Sequence, residues 1–436
     1  MSPNRARVAR KTRPARPATW LAGSLLLVSG VVWGCAGQAS AISVATSDAT
    51  RAVASNDSAA QAAAAIDAFG FDFYATMVSS GGNAVVSPAS VVLALSMAEA
   101  GARSETASQM DSVLHSAIGA GGGNGINSLD QALAGLSGTF QDQSGTDREV
   151  TLRIANAPFA QKGMQLQQPF LDTLASKYGA ALRLVDFKSD PDAACRLIDS
   201  WVSDQTEGRI PKLLDSLDQQ TRLVLVNAIY LKAAWQTAFD ENSTKAAPFT
   251  RPDGSLVSVP TMSSGLPEGR YASGSGWQAV ELPYVNPSLA MTIVVPDDLA
   301  RFAAGLDAAR FDEITAALQP ANVELTLPRF KVETKSDLSA TLARMGMPLA
   351  FDADRADFSG MTTQERLFIG KVVHQANISV DEKGTEASAA TAVVMEAGAA
   401  LARQVTLKVD RPFIFAVRDT NTGAVLFLGR VVDPSV

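Results

Sequence analysis

The sequence predicts an α+β fold in which helices pack around one large, mostly antiparallel sheet. Two observations lead there. Apolar residues recur at helical spacing through the first half, while the second half is dominated by β-branched or alternating segments. No low-complexity break divides the halves between Gln61 and Val436, so both belong to a single domain at 61–436. With 436 residues, 47% of them hydrophobic and 19% charged, the chain can bury a substantial core.

The N-terminus reads as a leader. Arg5, Arg7, Arg10, Lys11, Arg13 and Arg16 precede an apolar run, Trp20 to Trp33, that is short for a membrane span. "VVWGC" then ends at Cys35 and resembles the lipobox of bacterial lipoproteins, with Trp33 bulky for its place. Residues 1–34 are therefore expected to be a signal peptide of lipoprotein type, Cys35 the lipidated residue, and the protein exported to the cell envelope or beyond. Ala- and Ser-rich residues up to 60, without an apolar period, read as a flexible tether (35–60). The leader holds six of 37 basic residues and no acid, so the mature chain carries 31 bases against 44 acids, about −13. That argues against nucleic acid as partner. With Cys35 lipidated, Cys195 stands alone and no intrachain disulfide forms.

Along the domain, "SVVLALSMAEAGA" from Ser90 has helical spacing, and "GAGGGNGIN", 119–127, reads as a loop within the domain. "DAACRLIDSWVSDQTEGR" from Asp192 reads as a helix closed by Gly208. "TRLVLVNAIYL", "LAMTIVVP", "VELTLPRFKVE" and "VLFLGRVV" read as strands. The common enzyme motifs fail together. Two histidines, His115 and His374, cannot build a three-histidine zinc site, and HExxH, CxxC, GxSxG, SxxK and phosphate-binding glycine loops are missing. No metal, cofactor or catalytic residue is expected. A hydrolase using either histidine would need a nucleophile motif that the sequence lacks.

"DEKGTEASAATAVVM", Asp381 to Met395, fits neither an amphipathic helix nor an ordinary strand. Taken with period two, one face carries Thr385, Ala387, Ala389, Thr391, Val393 and Met395, small and then apolar; the other begins at Glu386 and ends at Glu396. Ala and Gly are poor strand formers, so nothing local holds the segment extended. It can enter a sheet without being inclined to form one alone.

Here the chain resembles the serpin family. "VDEKGTEASAATAVV" is similar to the hinge of inhibitory serpins. "NAVVSPASV" from Asn83, "LVNAIYLKAAWQTAFD" from Leu225, "LPRFKVET", "GMPLAFDADRADFSGM", "VVHQANISVDEKGTEA" and "LKVDRPFIFAV" follow in serpin order. The resemblance spans about Gln61 to Pro434. It implies a metastable fold with smaller sheets beside the large one and an exposed reactive-centre loop, which a target protease cuts before the loop enters the sheet. It further implies a hinge of Glu382, Gly384, Thr385, Glu386, Ala387, Ser388, Ala389, Ala390 and Thr391. A shutter and breach follow from it at Ser87, Pro88, Ser90, Asn227, Trp235 and His374. Family spacing puts the cut bond between Gly398 and Ala399, with Ala397, Leu401 and Arg403 as alternatives. Small residues there suit an elastase-like or subtilisin-like target; Leu401 would suit a chymotrypsin-like and Arg403 a trypsin-like one. The expected protein is a monomer, not an enzyme, held to a membrane by its N-terminal lipid. The competing reading is a non-inhibitory serpin acting as a binding or chaperone module, whose usual mark, a hinge spoiled by proline or large charged inward residues, is not seen.

Overall fold

The computed structural model describes residues 42–77, 81–115, 123–386 and 403–436. In chain order these form β1 (Ser43–Ala45), α1 (Asn56–Met77), β2 (Ala84–Val86), α2 (Pro88–Glu99), α3 (Ser104–Val113), α4 (Asn124–Ala134), β3 (Gly138–Gln141), β4 (Asp147–Gln161), α5 (Gln168–Thr173), β5 (Leu182–Val185), α6 (Pro191–Gln205) and β6 (Leu223–Ala234). Next come β7 (Lys245–Thr250), β8 (Leu256–Gly274), β9 (Trp277–Pro283), β10 (Leu289–Pro296), α7 (Leu299–Ala303), α8 (Ala308–Ala316), β11 (Gln319–Pro328), β12 (Phe330–Asp337) and α9 (Ser339–Met345). The chain closes with β13 (Lys371–Asp381), β14 (Gly384–Thr385), β15 (Gln404–Lys408), β16 (Phe413–Asp419) and β17 (Val425–Val431).

Two sheets organise these strands. The first runs β1-β5-β4-β6-β14-β13-β12 with β3 added on β4; the second runs β15-β11-β8-β9-β10-β16-β17-β2 with β7 added on β8. Most pairings are antiparallel, and the parallel ones in the first sheet are β4 with β5 and β6 with β13. The α+β expectation holds, with helices dominating the first half and strands the second. The long strand β4 in the first half and the short helices α7, α8 and α9 in the second are the exceptions, and β4 alternates too weakly around Asn156 and Pro158 to stand out in the sequence.

Helix α2 lies beneath the first sheet against β4 and β6, and every residue from Pro88 to Glu99 is buried. A helix apolar on all sides belongs inside the protein, which is why it shows no amphipathic stripe. Ser87 caps it by accepting a hydrogen bond from Ser90 N (3.3 Å), and Pro88 occupies the first turn, where its missing N–H costs nothing. On the opposite face, α6 is capped by Asp190, which accepts from Ala193 N at 2.8 Å. It ends at Gln205 rather than at Gly208, whose φ of 76° continues the turn beyond it.

Two boundaries need correction. The glycine stretch expected as a loop through Asn127 turns helical at Asn124, so α4 begins inside it. Residues 42–60, expected as part of a free tether, are fixed to the fold. The β1 strand pairs antiparallel with β5, Ala52 N donates to Ser176 O (2.8 Å), Ser55 N donates to Ser128 Oγ (3.0 Å), and Arg51 bonds Asn127 Oδ1 (2.9 Å) and pairs with Asp130. Up to Ser55 these contacts are mainly backbone and polar, so hydrophobic periodicity does not reveal them, and from Asn56 the segment is the first turn of α1 with Ala59 in the core.

Candidate functional site

The site is the seam between β6 and β13. Along its lower half these strands pair directly and in parallel, from Lys371 opposite Val224 to Ala376 opposite Ile229. Above that level they part, and β14 sits between them, antiparallel to both: Thr385 lies opposite Val380 and Ala233, Gly384 opposite Asp381 and Ala234. Between wedge and closed seam, Tyr230–Lys232 and Asn377–Ser379 do not pair across the gap. Glu386 N still donates to Ser379 O (3.1 Å), with Glu386 itself at a left-handed φ of 49°.

The wedge is closely fitted. Gly384 has φ 148°, and a Cβ there would lie 2.1 Å from Ala233 O, so only glycine fits on both counts. Thr385 is buried, its hydroxyl 2.7 Å from the Tyr284 hydroxyl. Tyr284 stacks on Trp235 with ring centroids 4.4 Å apart, and the Trp235 indole N–H donates to Asp381 O (2.9 Å). Trp235 N donates to Lys383 O (2.9 Å) and Phe239 N to Glu382 O (2.9 Å), so the turn before the wedge is tied to the end of β6. Burial works to raise the Glu382 carboxyl, but hydrogen bonds from Arg329 (2.8 Å) and Thr244 outweigh it and hold the group below its ordinary value. Glu386 points the other way, towards the loop after α6, with its Oε2 3.5 Å from Arg209 Nε; burial raises its carboxyl and Arg209 opposes that. Replacing Gly384 with valine is expected to expel the wedge and cost the native state on the order of 2–4 kcal/mol, read as a lower urea midpoint at unchanged m-value.

Lower in the seam a buried polar network crosses three strands at one level, where Asn156, Asn227 and His374 are register partners. Ser87 N donates to His374 Nε2 (3.2 Å), which assigns the ring proton to Nδ1, and Nδ1 bonds Asn227 Oδ1. The Asn227 amide donates to Ser90 Oγ and to Asn156 Oδ1 (2.6 Å), and Asn156 Nδ2 donates to Ser90 O (2.9 Å). The helix cap below is thereby bonded to both strands that meet at the seam. Asn156 was not singled out from the sequence; the signal was an amide among apolar residues in the middle of β4, whose partner opposite only the register reveals.

Burial drives the His374 imidazole down to about 3 from its usual 6.5. The folded value lies below the unfolded one, so the stabilisation from keeping this ring neutral is complete above about pH 6.5 and declines as pH falls from there towards 3. Asp67 and Glu99, pushed up to about 8 by burial, act in the opposite sense, since their neutral forms favour the folded state as pH falls. The useful quantity is therefore a difference. The stability advantage of wild type over His374→Gln, from urea midpoints, is expected to be largest near pH 7.5 and to shrink progressively towards pH 4.

The remaining expected residues fall elsewhere. Pro88 lies in the first turn of α2, next to the network but without a hydrogen bond in it. Ala387, Ser388, Ala389, Ala390, Thr391, Ala397, Gly398, Ala399, Leu401 and Cys35 lie outside the described residues. Arg403 leads into β15; its carbonyl accepts from Asn322 N (3.0 Å) and its guanidinium lies 5.4 Å from the Tyr271 ring centroid. His115 Nε2 is 2.8 Å from Asp72 Oδ2 in an exposed pair. Cys195 is buried in α6, where burial raises its thiol. Among the described residues no group of His, Cys, Asp and Glu could hold a metal ion.

The site is thus a sheet whose central strands β6 and β13 are paired at one end and parted at the other around the two residues of β14. The family model for serpins, described as serine protease inhibitors, matches residues 64–434, and the chain belongs to the serpin family. It is 36% identical over 389 residues to the leukocyte elastase inhibitor of Bos taurus, covering 86% of this chain and 100% of that protein. It is likewise 36% identical over 378 residues to an uncharacterized serpin-like protein of Thermococcus kodakarensis, 85% of each chain being covered. Among solved structures, the thermophilic serpin tengpin in its native state matches with a TM-score of 0.77 at 28% identity, over 89% of this chain and 99% of that one.

Proposed function

We propose that this protein inhibits a serine or cysteine protease as a suicide substrate. The wedge carries the proposal: Gly384 and Thr385 already form the first two rungs of a strand between β6 and β13, and the residues that follow are small on the inward face. The protease nucleophile attacks the Gly398 carbonyl, the amide nitrogen of Ala399 leaves with a proton from the protease's own acid, and Gly398 is held as an acyl ester or thioester. The freed strand then zips into the seam below Thr385 and carries the protease with it. Each inserted residue gains ladder hydrogen bonds worth about 0.5–1.5 kcal/mol net, so a dozen supply on the order of 10 kcal/mol. Burying Val393 and Met395 adds roughly 1.5–3 kcal/mol apiece.

Small residues from Ala397 to Ala399 favour an elastase-like or subtilisin-like target. That the curated relatives include leukocyte elastase inhibitors supports the same choice. Arg403 suits the role less, because its carbonyl, which a protease must polarise, is already taken by Asn322. A hydrolase reading finds little support, since His374 is wholly enclosed and bonded to Ser87 N and Asn227. We further read residues 1–34 as an export leader and Cys35 as the lipid-bearing residue, tested by whether envelope retention is lost in Cys35→Ser. Incubation with an elastase-type and a subtilisin-type protease is expected to give an SDS-stable complex and a released peptide beginning at Ala399 or a neighbour. Clean cleavage by both without a complex would favour the non-inhibitory reading.

A further inference from the structure

Beside the outer edge of β4 lies a cleft of about 530 Å³, within the range of small-molecule sites. Its walls come from the segment after β1, from α2, β4, β5 and α6, and from the stretch 175–181, with Asp130 of α4 at one side. Two features of it have no role in the seam. First, Arg183 on β5 is half-buried with its guanidinium 4.5 Å from the Trp201 ring centroid, and among the described residues no carboxylate pairs with it. The other cation there, Arg51, is matched by Asp130, so the lining holds one unbalanced positive charge. Second, among the described residues no strand pairs with the outer edge of β4 between Thr151 and Pro158. The β4 strand pairs with β3 only up to Val150 and with β5 only from Phe159. Ser137 Oγ bonds both N and O of Leu152, and Lys162 N reaches Val185 O, which places the even-numbered backbone groups on this side. By the same alternation Ile154 and Asn156 present their N–H and C=O groups to the cleft.

We infer that this cleft binds a short extended peptide ending in a free carboxylate, its backbone paired with Ile154 and Asn156 of β4 and its carboxylate on Arg183. An open strand edge selects an extended backbone, and an unmatched guanidinium on an aromatic face selects a monoanion. The neighbouring edge sets the precedent, since β5 already takes β1 as an added strand. The Asn156 side chain belongs to the network that closes the seam, so an occupant fixes a strand that is bonded to Asn227. Resting on the proposed inhibitory function, occupancy is expected to slow loop insertion and hence formation of the protease complex.

The test is calorimetric titration of the protein with N-acetyl-Val-Thr-Val as free acid, as C-terminal amide, and as acid with the central amide N-methylated. The acid is expected to bind saturably, and the other two at least tenfold more weakly. Arg183→Gln is expected to weaken the acid at least tenfold and leave the amide unchanged. No saturable binding of the acid up to about 1 mM, or equal affinity for acid and amide, would overturn the site, and so would indifference to Arg183→Gln. Competition by acetate as effective as by peptide would overturn the peptide assignment. Should Arg183→Gln fail to fold, the acid and amide comparison on wild type decides alone. The titration contains no protease, so failure of the site and failure of the inhibitory reading are separable.

Discussion

Thr385→Arg is expected to abolish the SDS-stable protease complex while leaving cleavage of the loop intact, turning an inhibitor into a substrate. Thr385 is the last residue of the wedge, 1% exposed, between Ala233 and Val380 and against the Tyr284 hydroxyl. Insertion must pass through this position before any later residue can join the sheet. An arginine there would have to bury a guanidinium with no carboxylate facing it, at a cost of several kcal/mol. Cleavage itself depends on the residues around the cut bond and on the protease's own residues, so its rate should change little. What changes is the race between insertion and hydrolysis of the acyl bond. The number of inhibitor molecules consumed per protease inactivated should rise more than tenfold, measured by titrating protease activity. An unchanged stoichiometry would show that the strand does not enter at this point.

His374→Ala is expected to have the largest effect on the native state. It leaves Ser87 N and Asn227 Oδ1 buried without partners and opens a void at the level where β6 and β13 meet. Unsatisfied buried groups cost about 1–3 kcal/mol each, so a loss of roughly 3–5 kcal/mol follows, enough to lower the first thermal transition by about 4–6 °C. The same change should speed conversion of uncleaved protein to an inserted form, because the bond between the two strands that must part is gone. In the loop-cleaved protein those strands have already separated, and the substitution should cost less. Equal penalties in both forms would assign His374 to ordinary core packing.

The small-residue run after Gly384 stands out in the sequence because its chemistry is local: a glycine followed by small side chains needs no partner to be noticed, and of the expected hinge only Glu382 to Glu386 lies among the described residues. Trp235, Asn227 and His374 could be named from the motifs around them, but their partners could not. Tyr284 meets Thr385 across 101 positions, Asn156 meets Asn227 across 71, and Arg329 meets Glu382 across 53. Such pairs are set by strand register and sheet order, which hydrophobic periodicity does not encode. The fastened segment from Ile42 to Ser55 escaped for a related reason. Its stability comes from backbone hydrogen bonds and from Arg51 to α4, and an Ala- and Ser-rich composition looks the same whether such partners exist or not.

The central proposal is that the seam between β6 and β13, closed from Lys371 to Ala376, opens to take the segment after Thr385 as a further strand. It is tested most directly without any inhibitory target, by cutting the chain once between residues 391 and 402 with whichever protease does so cleanly and comparing melting before and after. Filling the seam should add on the order of 10 kcal/mol and raise the melting temperature by roughly 10 °C or more. A nicked protein that melts where the intact one does, or lower, would contradict the account.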